Sequence, residues 1–203
     1  MKINTGTGLL QEARQCPSPN QDARPADCLP TLIVIHNISL PPDQFGGPWI
    51  DDLFLNGLDP AADPYFTGIC HLRVSSHLLI RRDGEVVQYV PFHRKAFHAG
   101  ISRYQGREAC NDFSIGIEVE GSDHVPFSDV QYAVLIRVIR ALCAAYSTLT
   151  FQHVTGHQHI APGRKTDPGP FFDWEQLGCA LGATLPADTG AFCGGPDTGG
   201  VRK

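Results

Sequence analysis

The segment Thr31–His36 constrains the fold of this chain more than any other stretch. It is a short run of β-branched and apolar residues after Pro30, which predicts a strand. Because the run is apolar on both faces, the strand is expected at the centre of a sheet covered by helices. His36 ends this run, at the edge where α/β sheets present binding crevices. A histidine there is by itself more often structural than a ligand, so other residues must decide its role.

A second strand is predicted at Ser114–Glu120, and its alternation separates two kinds of side chain. One face takes Ile115, Ile117 and Val119, and the other takes Gly116, Glu118 and Glu120. The apolar face suits a protein core. On the polar face, the glycine leaves room beside the carboxylate of Glu118, which makes that residue a candidate for chemistry.

The remaining elements are predicted from turn and capping signals. Asp83-Gly84 is flanked by apolar runs at 77–81 and 85–90, which indicates a β-hairpin. Ser128 followed by Gln131 has the form of a capping box, and helical spacing of apolar residues continues to about Tyr146. A shorter helix is expected from Asp173 to Leu181. The segment 37–63, rich in Pro, Gly and Asp, is predicted to be a long loop with one short helix near Trp49–Leu55.

Length, charge and cysteine pattern limit the class of protein. The 203 residues fit one domain, which we place at 1–182, followed by a flexible tail at 183–203 rich in Gly, Pro and Thr. The net charge of -5 argues against a protein that neutralises nucleic-acid phosphates. Neither a signal peptide nor a membrane span is predicted, and the seven cysteines contain no CxxC pair. These features favour a cytoplasmic protein with reduced thiols and no membrane partner.

The loop at 155–170 concentrates histidine, lysine and aspartate among glycines and prolines. Two histidines and one aspartate would leave a fourth tetrahedral position for water, as in catalytic rather than structural zinc sites. Lys165 has no lone pair to donate, but its charge could lie beside an oxygen at such a metal. Composition alone would equally fit a solvated turn with a surface Lys/Asp pair.

Several motifs together resemble the type 2 N-acetylmuramoyl-L-alanine amidase family. They are Val-Ile-His36-Asn-Ile-Ser, Gly46-Gly-Pro-Trp-Ile, Ser76-His-Leu-Leu-Ile-Arg-Arg-Asp-Gly84, Arg103-Tyr-Gln-Gly106, Cys110-Asn-Asp-Phe-Ser-Ile-Gly-Ile-Glu118, and Thr155-Gly-His157 with Ile-Ala-Pro-Gly-Arg-Lys165-Thr-Asp167-Pro-Gly-Pro. The resemblance runs from about Leu10 to Trp174, in the family's order. It implies a single α/β domain like T7 lysozyme and the peptidoglycan-recognition proteins, with a central mixed sheet flanked by helices.

The resemblance also implies the roles of particular residues. It makes His36, His157 and Asp167 the ligands of one Zn²⁺ per chain. Glu118 becomes the residue that handles protons, and Lys165 the residue that stabilises the tetrahedral intermediate.

Other residues are predicted to contact the substrate or to support the metal ligands. Arg73 and Arg107 fall where the family has arginines near the peptide end of the substrate. Asn37 follows the first ligand and could bind substrate or orient the site, and Tyr104 could shape the groove. Each of these four residues has an ordinary structural interpretation as well. Most of the other histidines, including His71, His77 and His98, are expected to form hydrogen bonds within the structure or to support the ligands.

The implied reaction is hydrolysis of the amide bond between the lactyl group of (1,6-anhydro-)N-acetylmuramic acid and L-alanine. The expected setting is a monomer acting on soluble anhydro-muropeptides during cytoplasmic peptidoglycan recycling in bacteria, with an effect on β-lactamase induction. Two alternatives stay open at this point: a module that binds muropeptides without cutting them, and a lytic amidase that acts on intact cell wall.

Overall fold

A computed structural model of the protein describes residues 1–186. Its helices are α1 (Trp49–Phe54), α2 (Asp129–Ala145), α3 (His157–Ile160) and α4 (Trp174–Leu181), with 3-10 turns at Pro64–Gly68, Cys110–Asp112 and Phe151–His153. Its strands are β1 (Ile3–Asn4), β2 (Leu9–Leu10), β3 (Arg14–Gln15), β4 (Gln21–Ala23), β5 (Leu32–Ile38), β6 (Leu78–Ile80), β7 (Val86–Gln88), β8 (Arg94–Ala96), β9 (Arg103–Tyr104), β10 (Arg107–Glu108), β11 (Ser114–Glu120) and β12 (Val154–Gly156).

The central sheet has six strands in the order β12-β5-β11-β6-β7-β3. Strands β12, β5, β11 and β6 are parallel to one another, whereas β7 runs antiparallel to β6. The predicted mixed sheet is therefore confirmed. Because four neighbouring strands point the same way, their carboxyl ends meet at one edge of the sheet.

Strand β5 is buried and lies between β12 and β11, as its apolar sequence predicts. Ile33 and Ile35 join the core that packs against α2, while Leu32 and Val34 pack on the opposite face with Ile160 of α3. His36 continues the alternation of Leu32 and Val34, so its side chain lies on the same face of β5 as theirs. The strand continues two residues beyond His36, to Ile38, so the prediction that His36 ends the strand is wrong by two positions.

Strand β11 shows the predicted alternation. Its three branched residues belong to the core under α2, and Glu118 and Glu120 are buried on the other face. The room predicted beside Glu118 is taken by an imidazole. A side-chain carbon built on Gly116 would lie 2.5 Å from Cγ of His98, so only glycine lets this ring approach the strand so closely.

Helix α2 begins where the capping box predicts. The Ser128 hydroxyl accepts a hydrogen bond from the Gln131 amide at 3.3 Å, and the Gln131 side chain accepts one from the Ser128 amide at 3.0 Å. These two bonds satisfy backbone donors that a helix otherwise leaves unpaired. Helix α4 begins with a similar cap from Asp173, whose carboxylate accepts from the Gln176 amide at 2.7 Å.

The hairpin and the long loop also match their predictions. Strands β6 and β7 pair across Asp83-Gly84, and α1 interrupts the loop at the predicted place. The buried carboxylate of Glu120 holds both segments. It accepts from the Gly46 amide at 2.6 Å and from the Arg82 amide at 3.0 Å. The loop is therefore tied to the strand that carries Glu118.

Three further predictions concern the C-terminal tail, the cysteines and the absence of a membrane span. Of the predicted tail 183–203, residues 187–203 lie outside the described residues, and Leu185 is buried against the core. The six cysteines within residues 1–186 are free. No helix in this part of the chain is long and apolar enough to cross a membrane.

Candidate metal centre and active site

Three parallel strands deliver the candidate residues to one edge of the sheet. His36 of β5 pairs in register with Glu118 of β11, so their side chains leave neighbouring strands on the same face. His157 directly follows β12 and begins α3. Asp167 is brought back by the following loop, where its carbonyl accepts from the Gln158 amide at 2.9 Å. Residues far apart in the sequence thus converge.

The three predicted ligands bring one donor atom each to a common point. Nδ1 of His36 lies 3.0 Å from Nδ1 of His157 and 2.9 Å from Oδ2 of Asp167. Nδ1 of His157 lies 3.0 Å from the same carboxylate oxygen. Two imidazoles and one carboxylate are the donor set of many catalytic zinc sites, which keep a fourth position for water or substrate.

The hydrogen bond of His157 agrees with a metal-binding role. Its Nε2 lies 3.0 Å from the carbonyl oxygen of Ala99, which can only accept a hydrogen bond. Nε2 therefore carries the proton, and the lone pair of a neutral ring is left on Nδ1, where Asp167 lies. A carbonyl that orients the far nitrogen in this way is typical of metal-binding histidines.

The charge states also suit a divalent cation. Burial lowers the pKa of His36 to about 4, even though the neighbouring Asp167 opposes the shift, so the ring is neutral near pH 7. Burial alone would raise the pKa of Asp167. The contacts of its Oδ2 with Nδ1 of His157 and Nδ1 of His36 outweigh burial and hold that pKa well below its ordinary value. One carboxylate and two neutral imidazoles therefore face each other, and the residues fit a zinc ion.

Glu118 is buried beside this cluster and its environment favours the protonated form. Burial raises its pKa well above the ordinary value, the negative charge of Asp167 raises it further, and Lys165 lowers it. Such a carboxyl can take up a proton and release it again at a pH where an exposed glutamate would stay ionised. Lys165 is exposed and lines the same groove.

The groove over the cluster has a volume of about 560 Å³. The cluster, Glu118 and Lys165 are among the residues that line it. Apolar and aromatic side chains from α1 and the turns after it also line the groove: Leu53, Phe54, Tyr65, Ile69 and Leu72. Apolar side chains suit the apolar faces of a sugar or peptide, while the polar groups of the cluster can act on a bond.

Asn37 lines the groove, but its side-chain amide is engaged. It donates to Oδ1 of Asp123 at 2.7 Å and to the carbonyl oxygen of Pro168 at 3.0 Å. Pro168 directly follows Asp167. The structure therefore connects Asn37 with the placement of that ligand more directly than with a substrate.

The structure places the other three predicted substrate contacts outside the groove lining found among the described residues. Arg73 is exposed and donates to the carbonyl oxygens of His71 and Leu72. Arg107 lies over the Phe113 ring at 3.9 Å and donates to the thiol of Cys28. Tyr104 is partly buried in β9. Their roles toward substrate stay predictions.

One functional neighbour, Arg164, has no distinct signal in the sequence. Its guanidinium donates to the carbonyl oxygens of Ala99 and Ile101 at 2.7 and 2.6 Å, which holds the segment that orients His157. It stands next to Lys165 in the Gly-Arg-Lys motif. His159, which we did not predict as a ligand, accepts from the Gly156 amide at 3.2 Å and caps α3.

Comparison with known proteins identifies the family of this chain. The family profile described as N-acetylmuramoyl-L-alanine amidase (Amidase_2) matches residues 25–170, most of the chain, and spans all five candidate catalytic and metal residues. The chain belongs to this amidase family. The amidase is 62% identical over 170 residues to the 1,6-anhydro-N-acetylmuramyl-L-alanine amidase AmpD of Citrobacter freundii, which covers 84% of this chain and 90% of that protein.

Solved structures give the same picture of the amidase. The crystal structure of a selenomethionine derivative of AmpD superposes with a TM-score of 0.86 at 58% identity, covering 89% of this chain and 99% of the other. The AmiD amidase of Escherichia coli, solved with anhydro-N-acetylmuramic acid-L-Ala-D-γ-Glu-L-Lys, superposes with a TM-score of 0.54 at 29% identity and covers 86% and 61% of the two chains. The predicted fold, with its T7-lysozyme-like mixed sheet and flanking helices, is confirmed.

Proposed function

We propose that this chain is a zinc-dependent N-acetylmuramoyl-L-alanine amidase that cleaves the bond between the lactyl group of anhydro-N-acetylmuramic acid and L-alanine. One observation carries the proposal: Nδ1 of His36, Nδ1 of His157 and Oδ2 of Asp167 converge within 3.0 Å of one another at the groove. The 62% identity to AmpD of Citrobacter freundii supports the choice of substrate.

The chain's own residues have distinct tasks in this hydrolysis. When bound by His36, His157 and Asp167, zinc would supply Lewis acidity, which lowers the pKa of water and polarises a carbonyl. Glu118 accepts a proton as water adds to the lactyl carbonyl carbon. It returns that proton to the alanine nitrogen as the carbon–nitrogen bond breaks. The products are a free lactyl carboxylate and a peptide with a free amino terminus.

Lys165 is the candidate that stabilises the oxyanion of the tetrahedral intermediate. Its ammonium lines the groove and is close enough to Glu118 and His36 to lower the pKa of both. Loss of one such donor costs about 3 kcal/mol of transition-state stabilisation in other enzymes. We assign substrate contacts to Arg73, Tyr104 and Arg107. Asn37 either contacts substrate or positions Asp167, and zinc affinity and KM of Asn37→Ala distinguish these two roles.

The biological setting is part of the same proposal. We infer a monomer that acts on soluble muropeptides in the bacterial cytoplasm, where recycling removes fragments that would otherwise induce β-lactamase. The net charge of -5 supports a soluble fragment over an anionic wall polymer as the substrate.

The first experiment compares wild type with Asp167→Asn, a variant of the same shape without the anionic donor. Zinc content is measured by elemental analysis, and turnover by release of L-Ala-D-Glu-diaminopimelate from anhydro-muramyl-tripeptide. We expect about one zinc per chain and turnover in wild type, and loss of both in the variant. Asp83→Asn, in the β6–β7 turn, is the matched control and should keep both properties.

Other outcomes separate the alternatives. Zinc binding without turnover would identify a muropeptide-binding module. Faster turnover on intact sacculi than on the soluble fragment would identify a lytic amidase. A wild-type protein that is purified without metal and stays inactive after zinc is added would refute the proposal.

A further inference from the structure

A chain of hydrogen bonds leads from a backbone carbonyl to the first predicted ligand. The Ser114 hydroxyl lies 2.6 Å from the carbonyl oxygen of Cys110 and 3.1 Å from Nε2 of His98. Nδ1 of His98 lies 2.9 Å from Nε2 of His36. The catalytic scheme of the proposed function uses neither His98 nor Ser114.

The carbonyl at one end determines the direction of every bond in this chain. A carbonyl oxygen has no hydrogen, and two oxygens 2.6 Å apart require one between them, so the Ser114 hydroxyl must donate to Cys110. The Ser114 oxygen then has only lone pairs for His98, and Nε2 of His98 must donate to it. A neutral imidazole carries one N–H, so Nδ1 of His98 is left as an acceptor.

The same logic reaches His36. Because Nδ1 of His98 accepts, Nε2 of His36 donates, and Nδ1 of His36 is left with its lone pair. That lone pair faces Oδ2 of Asp167 at 2.9 Å and Nδ1 of His157 at 3.0 Å, so three acceptors surround one point, and a cation bound there would satisfy all three. The reverse tautomer would place a proton where the metal is proposed to bind, and it would set two acceptors against each other at His98.

The position of His98 is fixed on several sides. Its ring lies against Gly116, where a side-chain carbon would come within 2.5–2.8 Å of three ring atoms. Its backbone amide donates to the Asn111 side chain at 3.1 Å. The ring centroid lies 5.0 Å from that of His36 in an edge-to-face arrangement. A ring confined in this way holds its partner in one orientation as well as one tautomer.

We propose that His98, itself directed by Ser114, is a positioning residue that keeps His36 in the tautomer and orientation needed to bind the metal. This inference rests on the proposed function for the identity of the metal as zinc. It differs from a packing role for His98, which would require only a ring of the right size.

The first test reads the tautomer of metal-free protein by long-range ¹H–¹⁵N NMR correlation of the histidine rings. We expect wild type to carry the hydrogen of His36 on Nε2. In Ser114→Ala, which keeps the His98 ring but removes its acceptor, we expect a mixture of tautomers at His98 and His36. Ser114→Thr, which retains the hydroxyl, should restore the wild-type pattern. A His36 ring protonated on Nδ1 in wild type would overturn the proposal.

The second test measures zinc affinity by competition with a chromophoric chelator. His98→Phe keeps an aromatic ring but offers no acceptor, and we expect its zinc dissociation constant to rise about 10–100-fold. His93→Phe, at an exposed histidine, is the matched control and should bind zinc as wild type does. Wild-type affinity in His98→Phe would overturn the proposal in favour of packing.

The two tests keep this inference separate from the proposed function. If wild type binds no zinc but shows the expected tautomer, the function fails while the hydrogen-bond chain stands. If zinc binds and His36 is protonated on Nδ1 in the metal-free state, the function stands and the inference fails. If His98→Phe does not fold, the Ser114 variants and the wild-type spectrum decide the question.

Discussion

Gly116→Ala should destabilise the protein through a single collision. The added methyl carbon would lie 2.5 Å from Cγ of His98, and ordinary van der Waals contact begins near 3.4 Å, so the ring must retreat by about 0.9 Å. Overpacking of this kind costs about 1–3 kcal/mol. The retreat also breaks the partly buried hydrogen bonds from His98 to His36 and Ser114, with a similar cost for the donors and acceptors left unpaired.

Removing glycine from a strand returns about 0.5–1 kcal/mol, because the unfolded chain becomes less flexible. We therefore expect a net loss of about 2–4 kcal/mol in the free energy of unfolding. For a domain of this size, that corresponds to a fall of about 5–15 °C in Tm. Urea unfolding of metal-free protein, followed by circular dichroism, measures the loss directly. Gly68→Ala is the matched control, since that glycine is exposed and nothing lies within 4 Å of an added carbon.

A double-mutant cycle tests the cause of the loss. In a His98→Ala background the ring is gone, so Gly116→Ala should cost less than about 1 kcal/mol. The reasoning is refuted if Gly116→Ala unfolds within about 0.5 kcal/mol of wild type. It is also refuted if the cost is the same with and without the His98 ring.

Two further predictions concern the site. Burial raises the folded-state pKa of Glu118 above its ordinary value of 4.5. The contribution of this carboxyl to the free energy of unfolding is therefore complete below about pH 4.5. It is lost as the pH rises through the folded-state pKa. In urea titrations of metal-free protein, the free energy of unfolding of Glu118→Gln should therefore rise relative to that of wild type as the pH increases above 4.5. A difference between the two proteins that does not change with pH would contradict the raised pKa. Asn37→Ala removes the donors to Asp123 and Pro168, and we expect zinc binding to weaken about 10-fold in chelator competition. Asn56→Ala, which removes an amide donor to Asn20 and not to a neighbour of Asp167, should bind zinc normally. Unchanged zinc affinity with a raised KM in Asn37→Ala would instead make Asn37 a substrate contact.

Elements with local signals were predictable from the sequence. The capping residues of α2 and the Asp83-Gly84 turn act within a few positions of each other, so their geometry depends little on the rest of the chain. The two faces of β11 followed from side-chain alternation, and the burial of β5 followed from its uniformly apolar sequence. The family motifs then identified the residues of the candidate site.

Features that depend on distant partners were not predictable. Strand β3 is two residues long and joins the sheet only through β7, so it has no periodicity to detect. His98 was expected to support a ligand, but its partner His36 lies 62 residues away. Asn37 and Asp123 are 86 residues apart. Such contacts are set by how the strands are ordered in the sheet, which no local pattern specifies.

The separation of the donors along the chain has a thermodynamic consequence. His36 and His157 are 121 residues apart, and they meet only because β5 and β12 are adjacent. An unfolded chain does not hold these atoms together, so a metal bound by all three donors acts on the folding equilibrium of the whole domain. At a free concentration a thousand times its dissociation constant, such an ion would add about 4 kcal/mol to the free energy of unfolding. Metal occupancy would then report that the sheet is fully assembled, and a chelator would lower the resistance of the entire domain to unfolding.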